Sequence, residues 1–144
     1  MVQVTERYRL APVRDARDRE ERVQRGNLAV AVEEARATEA QVTAAAARVK
    51  KAADALAEAR RAVETATTAI AVARGERFVG RLRRALELAQ DEHARAVASH
   101  AGQHAGLDAA RGRLARARAD REVIERHFSR WREERKRLAD RRTD

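Results

Sequence analysis

The sequence has few of the residues that globular domains use for cross-links, turns and thick cores. Its 144 residues include no cysteine, one proline, six glycines and four residues that are Phe, Tyr or Trp. The lack of cysteine excludes disulfide frameworks, cysteine-ligated zinc and thiol catalysis, and it is compatible with a reducing compartment. Because so few positions favour tight turns, the composition predicts long helices.

Long apolar runs are missing as well. No segment approaches the roughly 18 consecutive apolar residues that indicate a membrane-spanning helix. The first ten residues, MVQVTERYRL, contain no apolar core and no small-residue cleavage site. We therefore expect neither a Sec signal nor a membrane span.

Alanine and arginine dominate what is present. The chain contains 34 alanines, 29 arginines and 3 lysines, and its net charge is +9. Alanine buries little area, so the apolar content of 44% does not predict a thick core. Positive charge is concentrated in residues 1–26, 74–84 and 113–144, and the stretches between them are neutral or slightly acidic. This distribution differs from the uniform basic stripe of a polyanion-binding protein.

An apolar residue recurs every seven positions in the first half of the chain. This row consists of Leu28, Ala35, Val42, Val49, Leu56, Val63 and Ile70. A second row of small residues follows three positions later, and this 3-4 spacing is the seam of a coiled coil. Upstream, valines at positions 13, 23 and 30 follow an offset register, which predicts a stutter near Gly26 and Asn27.

The pattern breaks at residues 74–80, RGERFVG, where two glycines within six residues predict a helix end and a tight connection. A second seam follows, whose large apolar residues are Leu82, Leu86, Leu107, Leu114, Ile124, Phe128, Trp131 and Leu138. Two seams of similar length with a short connection predict an antiparallel hairpin.

We therefore predict an all-α protein in which two long helices form an antiparallel coiled-coil hairpin over residues 1–144. Helix one is expected over about 10–73, with Pro12 in its first turn. The tip is expected at about 74–80 and helix two over about 81–141. Folding about residue 77 pairs position i with roughly 154 − i, which places Phe128 opposite Gly26.

Four histidines could supply metal ligands: His93, His100, His104 and His127. His100 and His104 are four positions apart, a spacing that zinc sites use. No glutamate follows His100 as a metalloprotease helix needs, and His93 and His100 fall on the second seam, where polar residues often set register. We predict structural or partner-facing roles for these histidines and no metal.

Catalytic motifs are missing from the sequence. It contains no phosphate-binding glycine loop and no GxSxG motif. Its carboxylates mostly alternate with arginine at helical spacing, which is typical of solvated ion pairs. A two-helix hairpin has no concave pocket that could desolvate a catalytic group. We expect no enzymatic activity, no catalytic residue and no cofactor.

The basic ends leave a second function open, a basic coiled-coil arm that binds RNA or DNA through phosphates. Against it, Phe128 and Trp131 lie on seam rows, where packing is their expected role. A membrane-surface role is favoured less, because the large apolar residues follow a narrow seam. A generic structural spacer or chaperone is a third alternative.

Three segments are similar to a known family. Residues 8–21, YRLAPVRDARDREE, resemble its aromatic-x-Leu-x-x-Val start. Residues 131–138, WREERKRL, resemble the tail of flagellar members, and residues 124–128, IERHF, are closer to injectisome members. With its length and two-helix organisation, the chain resembles the FliJ/YscO family, the coiled-coil stalk of flagellar and injectisome type III export machines.

The resemblance implies a non-enzymatic cytoplasmic stalk, peripheral to an inner-membrane export apparatus and similar in shape to the central stalk of rotary ATPases. Its paired terminal helices would enter and stimulate a hexameric export ATPase, and its far end would contact the export-gate membrane protein. Secretion chaperones remain open as further partners, and nucleic acid is the less favoured partner. The resemblance does not distinguish a flagellar from an injectisome system.

The resemblance also implies contact residues. A family pattern of aromatic, leucine, small and further residue at spacings 4, 3 and 4 falls on Phe78, Leu82, Ala85 and Ala89, the expected gate contact at the tip. Flagellar members can carry a polar residue where this chain has Ala89. Phe78 is also a large apolar residue at a predicted exposed turn, although it could instead cap the end of the coil.

The ATPase contact is expected at the charge-rich open end, where reversible ion pairs suit an interface that is remade during turnover. The candidate residues there are Arg9, Arg14, Arg17, Arg130, Arg132, Arg135 and Arg137.

Overall fold

The protein folds into two long helices that pack against each other. The computed structural model describes residues 6–143. Helix α1 spans Ala11–Glu64 and helix α2 spans Ala69–Thr143. Of residues 6–143, 93% are helical and none lies in a strand. The predicted fold class, an all-α helical hairpin, is confirmed.

The hairpin divides into two compact units, each built from a stretch of both helices. The terminal unit comprises the described parts of Met1–Val32 and Gly106–Asp144, and the turn unit comprises Glu33–Ala105. Neither helix, as far as it is described, contains an apolar stretch of the length that a bilayer crossing needs.

Helix α1 begins where the sequence predicts. The Ala11 N–H donates to the Tyr8 carbonyl at 3.2 Å, and the Arg14 N–H donates to the Leu10 carbonyl at 2.9 Å. Pro12 is the second residue of the helix. Its missing N–H has little cost there, because the N–H groups of a first turn have no intrahelical partner.

The connection between the helices lies at residues 65–68, so the predicted tip at 74–80 is wrong. The Thr65 hydroxyl donates to the Ala62 carbonyl at 3.1 Å. The Thr68 hydroxyl accepts the Ala71 N–H at 3.1 Å and caps the start of α2. Threonine hydroxyls compete with helical hydrogen bonds for backbone partners, which explains why the segment TATT ends one helix and starts the next.

Gly75 lies inside α2 and serves packing instead of a turn. An ideal Cβ atom on Gly75 would lie 2.5 Å from Cγ2 and 3.6 Å from Cβ of Val63. The glycine therefore allows α2 to approach α1 closely just after the connection. No described glycine has a positive φ angle, so none acts as a left-handed helix cap.

The earlier connection changes which residues face each other. Thr38 contacts His100, and Arg14 contacts Glu125, so the numbers of facing residues add up to about 138 and not to the predicted 154. The predicted and observed sums differ by close to two heptads. Each seam therefore stays on nearly the same face of its helix, but every seam residue faces a different partner from the one predicted. Phe128 consequently lies against Tyr8, and its predicted position opposite Gly26 is wrong.

The core of the turn unit is apolar on both helices. Leu56, Ala59 and Val79 form a buried cluster, against which Val63, Leu82 and Leu86 pack. Val42 and Val49 are half-buried. Ile70 is 70% exposed, because α1 has already ended and no helix lies opposite. Its prediction as a seam residue is therefore wrong.

The core of the terminal unit is supplied mainly by α2. Its buried apolar residues are Tyr8, Leu107, Ala110, Leu114, Ala117 and Ile124. Leu28, Phe128 and Trp131 are half-buried, whereas Leu138 is 46% exposed.

Polar side chains continue the α1 seam upstream of Leu28. Glu21 and Arg14 lie seven and fourteen positions before Leu28, and they are buried and half-buried. Val23 and Val30 are 55% and 59% exposed. The predicted stutter is therefore wrong, because the register continues and the valines face outward.

Candidate functional site

Glu21 is buried in the terminal unit with 3% of its surface exposed. Its carboxylate accepts hydrogen bonds from Arg121 at 2.6 Å and from Arg25 at 2.7 Å, and Arg118 lies 3.6 Å away. The hydrogen bond from Arg121, followed by that from Arg25, holds the pKa of Glu21 below its ordinary 4.5, although burial opposes the shift. The same hydrogen bond raises the pKa of Arg121. Glu21 is therefore an ionised seam residue at neutral pH.

A second ion pair joins Arg14, about two turns before Glu21 on α1, to Glu125, about one turn after Arg121 on α2. Arg14 Nε and Nη2 donate to the two oxygens of Glu125 at 2.7 and 3.2 Å. This bidentate bond lowers the pKa of Glu125 and raises that of Arg14. The Arg14 guanidinium also lies 4.0 Å from the centre of the Phe128 ring. Arg14 is thus occupied on two sides within the terminal unit.

An aromatic cluster ties the segment before α1 to α2. The Tyr8 ring centre lies 5.0 Å from that of Phe128 and 5.2 Å from that of Trp131. The Tyr8 hydroxyl is 2.7 Å from His127 Nδ1. Arg135 lies near the Trp131 ring and forms an ion pair with Glu6. These contacts join residues near both ends of the described range, so packed side chains close the end of the terminal unit.

The structure divides the arginines predicted to contact the ATPase. Arg14 and Arg135 are paired as described, Arg17 lies 3.4 Å from an Asp120 oxygen, and Arg132 lies 5.7 Å from the Phe128 ring centre. The remaining three are exposed and form no ion pair with any residue of the described range: Arg9, Arg130 and Arg137. A partner could contact these three side chains without breaking an ion pair of the described residues.

Open grooves line the terminal unit on both sides. One has a volume of about 690 Å³ and is lined mainly by charged residues, including Glu21 and Arg130. The other has about 680 Å³, and apolar residues such as Pro12 and Val13 line it together with charged ones such as Arg17 and Asp120. Both suit contact with a protein surface better than enclosure of a small substrate.

The predicted gate-contact residues lie on one stripe of α2 and not at the tip. Phe78 is 46% exposed, with its ring centre 5.6 Å from the Arg81 guanidinium carbon. Ala85 is exposed, whereas Leu82 packs against the core and Ala89 is half-buried. Phe78 and Ala85 are therefore the accessible members of the set. Phe78 does not cap the coil, because the Val63–Gly75 contact lies closer to the connection.

Phe78 borders an apolar groove between the two helices of the turn unit. The groove has a volume of about 510 Å³, and small side chains form most of its lining, including Ala62, Ala66 and Ala71. Gly75 contributes to the same wall. The combination of a half-exposed ring and small neighbours creates an apolar surface beside the connection.

His100 makes a polar contact across the seam of the turn unit. His100 Nδ1 is 2.9 Å from the Thr38 hydroxyl on the facing seam, and the His100 and His104 rings are 6.2 Å apart. Within residues 6–143, no three His, Asp or Glu side chains lie close enough together to hold a metal ion. The Thr38–His100 pair gives the seam of the turn unit a specific polar match.

Sequence reasoning missed two features of the terminal unit, the buried Glu21 and the Tyr8–His127 contact. A signal for Glu21 existed, since counting back by sevens from Leu28 reaches positions 21 and 14. His127 lies outside both seam rows, and no local pattern connects it to Tyr8.

Comparisons with known proteins identify no relative. No protein family, no curated protein and no solved structure matches this chain.

Proposed function

We propose that this protein is a non-enzymatic central-stalk component of a type III secretion or flagellar export apparatus. In this role it binds and stimulates a hexameric export ATPase and couples it to the export gate. The observation that carries the proposal is the terminal unit, in which the first part of α1 and the last part of α2 form one two-helix coil. Arg9, Arg130 and Arg137 are exposed on its surface and form no ion pair within residues 6–143.

A shaft that contacts several ATPase subunits in turn must keep its own shape while its surface contacts change. The ion pairs of Glu21 and Arg14 and the ring contacts of Tyr8 supply that internal cohesion. Exposed charges mainly adjust association rate and specificity, and salt screens them. Unpaired arginines therefore suit an interface that must form and dissociate repeatedly.

The packing of the three aromatic rings in the terminal unit favours this function over nucleic-acid binding by that unit. Single-stranded nucleic acids bind by stacking bases on accessible aromatic side chains. Tyr8, Phe128 and Trp131 instead pack against one another within the terminal unit, with the Phe128 and Trp131 rings stacked and the Tyr8 ring edge-on to Phe128. In the same unit, Arg14 and Arg121 are already neutralised by carboxylates.

The test measures ATP hydrolysis by the cognate export ATPase titrated with the full chain, in parallel with its binding to the cytoplasmic part of the export gate. The triple variant Arg9→Gln, Arg130→Gln, Arg137→Gln should weaken saturable stimulation about tenfold or more and keep gate binding. A loss of about 0.5 kcal/mol for each of the three exposed charge contacts would together produce such a change. The variant Phe78→Ala should show the reverse, with intact stimulation and weaker gate binding.

An inert basic coiled coil and RNA serve as controls in the same titrations. Absence of stimulation together with RNA binding that falls linearly in log affinity with log salt would favour the nucleic-acid arm instead. Equal loss of both activities in Phe78→Ala would contradict separate contact surfaces on the two units.

A further inference from the structure

The first residues of α2 form an apolar surface that is largely exposed. Residues 69–73, AIAVA, are all exposed, and Ile70 and Val72 are 70% and 37% exposed. Successive helical residues are about 100° apart, so five apolar residues surround the helix completely. A groove on a protein surface contacts one face of a helix, whereas an apolar medium can contact all of them.

A band of arginines lies directly behind this apolar turn on both helices. Arg60 and Arg61 precede the end of α1, and Arg74 and Arg77 follow the first turn of α2. All four are exposed, and none forms an ion pair with another described residue. Residues 60–84 contain seven arginines and two glutamates, which gives this segment a charge of +5.

The spacing of the two features matches the layers of a membrane surface. At about 1.5 Å per residue, the apolar segment extends about 7 Å along the helix. This length is comparable to the depth of about 5–10 Å to which amphipathic helices that lie flat on a membrane bury their apolar face. Side chains at positions 74 and 77 would then lie at the level of the lipid phosphates, which attract arginine.

We propose that the connection end of the turn unit binds an anionic lipid surface. Ile70 and Val72 enter the interface, and the arginines at positions 60, 61, 74 and 77 contact headgroup phosphates. This contact goes beyond the proposed stalk function and does not depend on it. The sequence pattern argued against a membrane role because the large apolar residues follow a narrow seam. Ile70, which the heptad count placed on that seam, is exposed instead.

The experiment measures co-sedimentation of the full chain with phosphatidylcholine vesicles that either contain or lack phosphatidylglycerol. Binding is expected to the anionic vesicles alone. Each arginine near such a surface contributes about fivefold to partitioning, so Arg74→Gln with Arg77→Gln should weaken binding about 25-fold. Ile70→Gln with Val72→Gln should weaken it about tenfold, because apolar area is lost from the interface.

The terminal unit offers matched controls. Val23→Gln with Val30→Gln changes two exposed valines, and Arg113→Gln with Arg116→Gln changes two exposed arginines that form no ion pair among residues 6–143. Both controls should bind anionic vesicles like the unchanged protein. Equal weakening by the controls would overturn the proposal, because binding would then reflect net charge alone.

A spectroscopic arm locates the contact. The chain has no cysteine, so Val72→Cys and Val23→Cys each accept one polarity-sensitive fluorophore. The emission of the label at position 72 should shift to the blue on anionic vesicles, and that of the label at position 23 should not. No shift at position 72, or binding of this end to the soluble gate domain without binding to vesicles, would overturn the lipid assignment.

Discussion

Gly75 and Val63 set how closely the two helices approach beside the connection. A methyl group on Gly75 would lie 2.5 Å from Val63 Cγ2. Valine in a helix strongly prefers one rotamer, so Val63 cannot turn away at little cost. The two helices can therefore approach this closely beside the connection only because residue 75 has a hydrogen atom in place of a side chain.

We predict that Gly75→Ala lowers the free energy of unfolding by a net amount of about 1 kcal/mol. Overpacking costs about 1–3 kcal/mol, and the better helix propensity of alanine returns up to about 1 kcal/mol. Urea unfolding followed by circular dichroism measures the change.

Gly80→Ala is the matched control, because a Cβ atom at Gly80 would meet nothing within 4 Å. This substitution should raise the free energy of unfolding by about 0.5–1 kcal/mol. Adding Val63→Ala to Gly75→Ala should remove the clash and show coupling between the two positions. If Gly75→Ala were as stabilising as Gly80→Ala, the close approach would be refuted.

Helix α1 carries two kinds of seam in one continuous register. Downstream of Leu28 its seam is aliphatic, with Leu56 buried, and upstream it is ionic, with Glu21 buried. Hydrophobic periodicity identified the first part. It failed for the second because the outward-facing Val23 and Val30 form a competing pattern, and because burial of Glu21 depends on Arg121 and Arg118 of the other helix.

The ionic seam predicts acid sensitivity of the terminal unit. The folded-state pKa values of Glu21 and Glu125 lie below the ordinary 4.5. Their contribution to stability is therefore complete above the unfolded pKa and is lost as the pH falls through the lower folded pKa. We expect the urea midpoint to decrease on acidification below about pH 5, and Glu21→Gln to reduce this decrease.

Trp131 is the single tryptophan and lies in the terminal unit, so its fluorescence reports this transition locally. Glu134→Gln removes an exposed carboxylate that forms no ion pair within the described range, and it should leave the pH dependence unchanged. An identical acid response in Glu21→Gln and the unchanged protein would contradict a stabilising role of the ionised seam.

The molecule as a whole depends on which heptad of one helix faces which heptad of the other. A seven-residue repeat specifies the face of each helix, but a shift by whole heptads preserves that face. The connection at residues 65–68 selects one of these registers. With the connection there, Thr38 faces His100, whereas a tip at 74–80 would place a different residue opposite Thr38.

This register predicts a disulfide between Val63→Cys and Gly75→Cys under mild oxidation. The two Cβ positions are 3.6 Å apart, within the range of about 3.5–4.5 Å that disulfides require. Free-thiol titration and intact mass measure its formation. The control pair Val63→Cys and Asp91→Cys faces each other only in the register of the later tip, so a disulfide in the control alone would refute the observed pairing.

The sequence by itself determined that the protein is an all-α hairpin of two long helices, because heptad periodicity is a property of each helix alone and does not depend on which residues lie opposite. It also placed Leu56, Leu107 and Leu114 on the faces that are buried. Only the tertiary structure decided the position of the turn, the register, the exposure of Ile70 and the burial of Glu21. The turn, the register and the burial of Glu21 depend on which residues of the two helices lie opposite each other. Ile70 is exposed because α1 ends before it could cover that position.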